Sequence, residues 1–151
     1  MTINETKRSI WVDADASPRP VKEILYRASE RTQTVATFVA NQLLEVPRSQ
    51  FITAVKVGSG LDVADQYIVS HARKDDIVIT QDIPLAAELV AKGCSVLSPR
   101  GEKFSEEDVR QRLNMRDFME SLRSSGVTTG GPDVFSDKDR MSFANALDRA
   151  L

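Results

Sequence analysis

The chain has 151 residues, of which 41% are hydrophobic, and this length and composition predict one domain with its own core. Its 20 Lys and Arg residues and 22 Asp and Glu residues give a formal net charge of −2, which excludes a general attraction to nucleic acid or anionic membranes. A single cysteine excludes a disulfide framework, and the sequence contains neither an apolar stretch of membrane-spanning length nor a signal-peptide pattern, so we expect a cytoplasmic protein without membrane contact.

Apolar and β-branched runs alternate along the chain with segments of helical spacing. The runs predict five strands, at residues 10–12, 34–40, 51–57, 77–80 and 94–97. The helical pattern predicts a helix that begins at Pro18 with Ser17 as its N-cap, and further helices at residues 61–73 and 84–92. The order βαββαβαβ predicts an α/β fold of three layers with a mainly parallel sheet.

The last third of the chain lacks this alternation. Its predicted parts are a helix at residues 105–123, a glycine-rich loop at residues 126–135 and a last helix that Ser136 caps. We therefore expect a single domain over residues 1–151, in which residues 102–151 form a helical C-terminal extension packed on the rest.

Two carboxylates follow the first strand directly. Asp13 and Asp15 are two residues apart, so in an extended backbone their side chains point to the same side. Carboxylates at the mouth of a buried strand repel each other and lose hydration, which a bound cation or a network of donors compensates. The alternative is a plain turn, because Asp followed by Ser-Pro is common in loops and at helix starts.

Three more aspartates occur at the starts of predicted helices. Asp65 falls within an apolar stripe that consists of Leu61, Ile68 and Ala72, where a surface helix normally carries no charge. Asp62 is explained equally well as a helix cap. Asp82 follows the fourth strand, as Asp13 follows the first, although it is also in position to cap the helix that Pro84 opens.

These carboxylates are predicted to meet at one edge of the sheet. Ligands of open parallel sheets bind outside the carboxyl ends of the strands, so neighbouring first and fourth strands would bring together Asp13, Asp15, Asp62, Asp65 and Asp82. Oxygen ligands without His or Cys favour a hard cation, Mg²⁺ or Mn²⁺. Asn41 and Thr80, at strand ends, are expected to position water or phosphate, or else to make ordinary loop hydrogen bonds.

At these residues the chain resembles known proteins. An Asp that ends strand one, Asp-x-x-Ile-x-x-x-Ala on a helix and Val-Ile-Thr-x-Asp resemble PIN-like nuclease domains. A closer similarity, from about Ser9 to the end, is to the bacterial YaiI/YqxD family, and it is carried by Trp11-Val-Asp-Ala-Asp-Ala, Val39-Ala-Asn41, Asp62-Val-Ala-Asp65, Val78-Ile-Thr-x-Asp-Ile-Pro-Leu-Ala86, Pro99-Arg-Gly-Glu102, Met115-Arg-Asp-Phe118 and Thr129-Gly-Gly-Pro132. The family usually has Cys where this chain has Ser17.

The resemblance implies a five-stranded PIN-like sheet in the order 3-2-1-4-5, with the first and fourth strands adjacent. It also implies metal-dependent hydrolysis of a phosphodiester, for which we expect single-stranded RNA as the substrate. Asp13, Asp65 and Asp82 would be the catalytic residues and hold Mg²⁺ or Mn²⁺, with Asp15 and Asp62 completing the ligand shell.

RNA binding by a chain of negative net charge requires a local basic patch. The basic residues of the last third are Arg100, Lys103, Arg110, Arg112, Arg116 and Arg123. We expect Arg100 and Arg116 to bind phosphates, and the alternative is that these side chains form ion pairs with the interleaved acidic residues.

Two other function classes fit the same carboxylates. Asp13-x-Asp15 after an apolar strand also fits haloacid-dehalogenase-type phosphatases, which use the first Asp as a nucleophile with Mg²⁺. Against these, the Lys74-Asp75-Asp76 segment precedes a strand, whereas such enzymes carry an acidic pair after one. The third class is a non-catalytic module that binds RNA or protein.

Overall fold

The predicted apolar runs form the strands of one sheet. In this computed structural model, which describes residues 8–60, 62–114 and 134–151, the elements in chain order are β1 (Ile10–Asp13), α1 (Arg19–Thr32), β2 (Ala36–Ala40), β3 (Ile52–Lys56), α2 (Val63–His71), β4 (Ile77–Ile79), α3 (Ile83–Lys92), β5 (Ser95–Leu97), β6 (Lys103–Phe104), α4 (described over residues 106–114) and α5 (Asp137–Ala150). Strands β2 and β4 are buried along their whole length, as expected for central strands of a covered parallel sheet.

The sheet has six strands in the order β3-β2-β1-β4-β5-β6. Strands β1 to β5 are parallel, and β1 pairs with β2 on one side and with β4 on the other, so that Ile10 is level with both Ala36 and Ile77. The predicted α/β class and strand order are therefore confirmed. Antiparallel β6 is additional, and its two residues are too few to show a periodicity in the sequence.

Helices cover both faces of the sheet. On one face α1 and α5 contribute Leu25 and Phe143 to a buried cluster that also contains Phe38 of β2. On the other face α2 and α3 contribute Ile68 and Leu89 to a second buried cluster. The three layers leave the carboxyl ends of the parallel strands as the open edge.

The start of α1 differs from the prediction. Ser17 is not the N-cap, because Pro18 is the last residue before the helix and Pro20 occupies its second position. The Ser17 hydroxyl instead donates to the carbonyl of Asp13 at 3.0 Å, which closes a short 3₁₀ turn at Ala14–Ala16 between β1 and α1. The buried Ser17 side chain thus stabilises the loop that carries Asp15 and does not cap the helix.

The predicted cap of α5 is present. The Ser136 hydroxyl accepts from the backbone N–H of Asp139, and the Asp139 carboxylate accepts from the backbone N–H of Ser136, which is a reciprocal capping box. The same carboxylate accepts from Arg100 at 2.8 Å, and so connects α5 to the β5–β6 loop.

Gly101 permits a close approach of this loop to α5. Its φ is +90°, and a Cβ added there would lie 2.5 Å from the backbone carbonyl of Ser142. Predictions that concern Leu61 and residues 115–133, including the end of the fourth helix and the glycine-rich segment up to Asp133, lie outside the described residues. Among the described residues, no helix is long and apolar enough to cross a membrane.

Candidate functional site

The centre of the open edge is formed by Asp13, Thr80 and Asp82. Asp13 ends β1 and is only 7% exposed, while Thr80 follows β4 and is fully buried. The Thr80 hydroxyl donates to Asp13 Oδ2 at 2.9 Å and accepts from the backbone N–H of Asp82 at 3.1 Å. One hydroxyl therefore connects the aspartates that follow the two central strands. The adjacency of these strands predicted that the two aspartates lie close together.

Asp82 is both a helix cap and part of this cluster. Its Oδ1 accepts from the backbone N–H of Leu85 at 3.0 Å, so the capping alternative is confirmed. Its charge nevertheless raises the pKa values of both Asp13 and Asp65, which means that it lies near both carboxylates. Capping fixes the orientation of the side chain and leaves its negative charge at the edge.

Asp15 is fixed by the end of the neighbouring strand. The backbone N–H of Asn41, directly after β2, donates to Asp15 Oδ2 at 2.8 Å. The Asn41 side-chain amide donates to the carbonyl oxygen of Gly58 at 3.1 Å, in the loop after β3. Asn41 thus ties together the ends of three strands, and this is the ordinary loop hydrogen bonding that was the alternative to a role in binding substrate.

Asp62 and Asp65 reach the edge from the start of α2. Asp62 has a left-handed backbone with φ of 65°, and its side chain makes no capping hydrogen bond, so the capping explanation does not account for its carboxylate. Asp65 is partly buried and lines a cleft of about 170 Å³ between α2 and α3, together with Asp62 and Glu88.

The electrostatics of the cluster are dominated by carboxylates. The pKa of Asp65 is raised to about 6, first by burial and then by the negative charges of its neighbours, which are Asp82, Asp13, Asp62 and Glu88. The pKa of Asp13 is also raised, first by burial and then by Asp82 and Asp15, although the hydrogen bond from Thr80 acts in the opposite direction. The fold therefore holds these groups where each disfavours the charge of the others.

Glu88 was not predicted. It lies on the exposed side of α3, and a glutamate on a helix surface is ordinary in sequence, so no local signal marks it. Its position becomes meaningful only because α3 packs beside α2.

The atoms of the cluster that could bind a metal ion are all carboxylate or hydroxyl oxygens, which fit a hard divalent cation. The mutual repulsion that raises two of the pKa values is the unfavourable term that such an ion would remove. As the side chains stand, however, no three Asp, Glu, His or Cys residues in the described ranges are arranged to hold a metal ion.

Of the two arginines predicted to bind phosphate, the structure describes Arg100. Arg100 forms an ion pair with Asp139 at 2.8 Å and lies 6.0 Å from the centre of the Phe135 ring, toward α5. Its proposed contact with phosphate stays a prediction. Arg116 lies outside the described residues. Arg112, from the same predicted basic patch, forms an ion pair with Glu102.

A second buried carboxylate lies at the opposite end of the central strands. Asp76, 2% exposed, accepts from the backbone N–H groups of Ser9 and Arg73 and from the Trp11 indole at 2.9 to 3.0 Å. Three donors account for its burial, so Asp76 stabilises the junction of β1, α2 and β4. In sequence it is part of a charged turn, and nothing local predicts this role.

Comparisons with known proteins agree on one relationship. Residues 11–151 match the family model described as "Uncharacterized BCR, YaiI/YqxD family". The chain is similar to UPF0178 proteins of Shewanella sp. strain MR-7 (59% identical over 142 residues, 94% of this chain and 93% of the relative), Proteus mirabilis (56% over 142 residues, 94% of each) and Klebsiella pneumoniae (59% over 143 residues, 95% and 94%). No match to a solved structure was found.

Proposed function

The chain belongs to the YaiI/YqxD family, and we propose that it is a divalent-metal-dependent phosphodiesterase that cleaves single-stranded RNA in the manner of PIN-like ribonucleases. The observation that carries this proposal is the group of carboxylates at the carboxyl edge of β1 and β4, in which burial and then neighbouring acids raise the pKa of Asp65 to about 6. A fold keeps such repulsion when the cluster binds a positive ligand.

Asp13, Asp65 and Asp82 would hold Mg²⁺ or Mn²⁺, with Asp15 and Asp62 at the border of the site. When bound, the ion supplies a water of lowered pKa and neutralises charge that develops on the phosphate. Glu88 adds negative charge next to Asp65 and is a further candidate for this border.

The chain's own residues supply orientation. Thr80 fixes Oδ2 of Asp13, the backbone of Asn41 fixes Oδ2 of Asp15, and capping of α3 fixes Oδ1 of Asp82. In each case one carboxylate oxygen is held by a donor of the fold, which leaves the other oxygen to face a ligand. Preorganised acceptors of this kind lower the cost of rearrangement when charge develops.

We expect a single strand as the substrate because the edge is a crevice bordered by loops and helix starts. A flexible backbone can enter such a crevice, whereas a rigid duplex presents a wide surface. With a net charge of −2, the protein should make few phosphate contacts, and binding should depend only moderately on salt.

The proposal is tested by incubating the purified protein with end-labelled single-stranded RNA and DNA, with and without Mn²⁺. We expect slow Mn²⁺-dependent cleavage of RNA by the wild type and none by Asp65→Asn. Asp148→Asn is the matched control, because Asp148 is an exposed carboxylate paired with Arg31 on another face of the molecule. It should cleave as the wild type does.

Each alternative has its own outcome in the same assay. Cleavage that persists in Asp65→Asn would expose a contaminating nuclease. Mn²⁺ binding without turnover of any RNA or DNA would favour a binding module. Release of phosphate from monoesters, without cleavage of diesters, would favour a phosphatase with Asp13 as the nucleophile.

A further inference from the structure

A larger cleft lies beside the carboxylates, between α1 and the loop that follows β2. Its volume is about 550 Å³, within the range of about 300 to 1,000 Å³ that is usual for sites of small organic ligands. The side chains that line it include Arg19, Lys22, Glu23, Tyr26, Leu44 and Glu45. None of these residues belongs to the carboxylate cluster.

We propose that this cleft binds one nucleotide unit of a single-stranded nucleic acid, with a phosphate at Arg19 and Lys22 and a base against Tyr26 and Leu44. This inference rests on the proposed function and deepens it, because it states that the substrate strand leaves the carboxylates along α1.

The walls of the cleft begin at the carboxylate cluster. Asp15 lies in the turn that leads into α1, and Asn41 begins the loop that carries Leu44 and Glu45. The hydrogen bond from the backbone of Asn41 to Asp15 joins the two walls at their base. β1 and β2 are paired neighbours, so the turn that leads to α1 and the loop that begins at Asn41 leave the sheet side by side, next to Asp13. We expect a strand in the cleft to continue toward Asp13.

One face of α1 supplies the cations and the aromatic ring. Arg19 precedes Lys22 by three residues and Glu23 by four, and Tyr26 follows Glu23 by three residues and Lys22 by four, which places all four along one side of the helix. The ion pair between Arg19 and Glu23 is 4.0 Å long, and the Arg19 side chain is 89% exposed. Exposed pairs of this geometry contribute little, so Arg19 can exchange Glu23 for a phosphate.

The far end of the cleft suits a base. The Tyr26 ring packs against Phe38 with the ring centres 5.1 Å apart, and Leu44 packs against the same core, so both are held in place while part of each remains accessible. Bases stack on aromatic rings in proteins that bind single strands. The Glu45 carboxylate provides an acceptor for base N–H groups and repels a phosphate from this end.

The charges of the lining residues favour a strand that leaves the carboxylates along α1 over one that leaves them between α2 and α3. On the side of α2 and α3, the cleft beside Asp65 is lined by Asp62 and Glu88, and it would repel a polyanion. The cleft along α1 is lined instead by two cations, Arg19 and Lys22, and by the carboxylates of Glu23 and Glu45.

The test measures the equilibrium binding of fluorescently labelled single-stranded oligonucleotides by fluorescence anisotropy. The measurement is made without divalent ions and at a series of salt concentrations. The variant is Arg19→Ala with Lys22→Ala. Its matched control is Arg73→Ala with Lys92→Ala, which removes the same charge from exposed side chains at the opposite end of the central strands, near Asp76. We expect the first variant to bind about tenfold more weakly, and its salt slope to fall by about 0.7, the value for one lost phosphate contact on a single strand. The control should keep the slope of the wild type.

The base contact has a separate variant. Tyr26→Leu retains an apolar side chain on Phe38 and removes the aromatic ring. We expect affinity to fall about fivefold or more, with the salt slope unchanged. Equal losses in the two charge variants, no loss in the first variant, or no binding by the wild type would overturn the inference. This binding assay needs no cleavage, so it is independent of the nuclease assay. If the protein cleaves RNA and the double variant Arg19→Ala with Lys22→Ala has the same KM as the wild type, the proposed function stands and binding in the cleft is refuted.

Discussion

Thr80 shows how one residue of the core orients the charged edge. Its hydroxyl is fully buried, donates to Asp13 and accepts from the backbone of Asp82. Both hydrogen bonds depend on the single oxygen atom, so the two aspartates are positioned relative to each other by the fold before any ligand binds.

Replacement of Thr80 by Val, which has the same shape without the hydroxyl, should destabilise the protein by about 1–3 kcal/mol because two buried partners lose their hydrogen bond. It should also raise the pKa of Asp13 further, since the bond from Thr80 lowers that pKa. Urea unfolding measures the free-energy change, and Thr80→Ser, which keeps the hydroxyl, is the control. A Val variant as stable as the wild type would contradict this role.

The raised pKa of Asp65 predicts that this residue contributes less stability as the pH rises, which is the reverse of the usual effect of an aspartate. Its pKa rises from 3.8 in the unfolded chain to about 6 in the fold, so the folded state binds the proton more tightly. Its contribution to stability is therefore lost as the pH rises from about 4 to about 6, and it stays lost above that. The pKa shift limits this contribution to the free energy of unfolding to about 3 kcal/mol. Solvent screening of the partly exposed side chain reduces the contribution to about 1 kcal/mol.

Asp65→Asn should therefore be more stable than the metal-free wild type at pH 7, and the difference should vanish near pH 4. Thermal unfolding of both proteins across this range, in the presence of a chelator, measures it. Asp148→Asn should show no gain at either pH. An Asp65→Asn protein that is less stable than the wild type at pH 7 would mean that the carboxylate has a favourable partner in the fold.

At the scale of elements, the junction of the β5–β6 loop with α5 depends on Gly101. A side chain there would meet the α5 backbone at Ser142 and Phe143, in a backbone conformation with φ of +90° that favours glycine. Gly101→Ala should therefore cost about 2 kcal/mol or more. Gly58→Ala is the control, because no atom lies within 4 Å of the added Cβ. Chemical unfolding of both variants decides the point, and equal stabilities would contradict it.

The elements could be predicted largely from periodicity, whereas their junctions could not. The runs that became β2 and β4 are β-branched or apolar throughout, and Asp82 followed by Pro84 marked the start of α3 correctly. Ser17 was assigned to the helix start wrongly, because Ser-Pro fits a cap in sequence, while the actual hydroxyl bond runs back to Asp13.

The same distinction holds for the site. The sequence alone predicted that aspartates follow the two central strands, since Asp13 comes directly after an apolar run and Asp82 comes three residues after another. The hydrogen bond from Thr80 to Asp13, the approach of Glu88 to Asp65 and the burial of Asp76 each depend on which elements become neighbours. No window of sequence contains that information.

At the scale of the whole molecule, the sheet is stabilised by a core on each face, and the carboxylate edge contributes repulsion rather than stability. Bound Mn²⁺ should therefore raise the midpoint of thermal unfolding, by an amount equivalent to about 2.7 kcal/mol at 100 times the Kd. Asp13→Asn and Asp82→Asn should fold normally and lose this response. Calorimetry that detects neither heat of Mn²⁺ binding nor a shift in the wild type would refute the metal site.

The pairing of β1 with β4 has a consequence for the order of events during folding. Asp13 and Thr80, which meet at the edge, are 67 positions apart in the chain. Contacts of such separation form slowly, because a long loop must close before they provide any stabilisation. Before that closure Asp13 and Asp15 are far along the chain from Asp62 and Asp65 and from Asp82, so the five carboxylates do not converge. At the proposed metal site, capture of a cation could only follow the pairing of β1 with β4, so the rate at which a folding chain acquires affinity for Mn²⁺ would report when these two strands have paired.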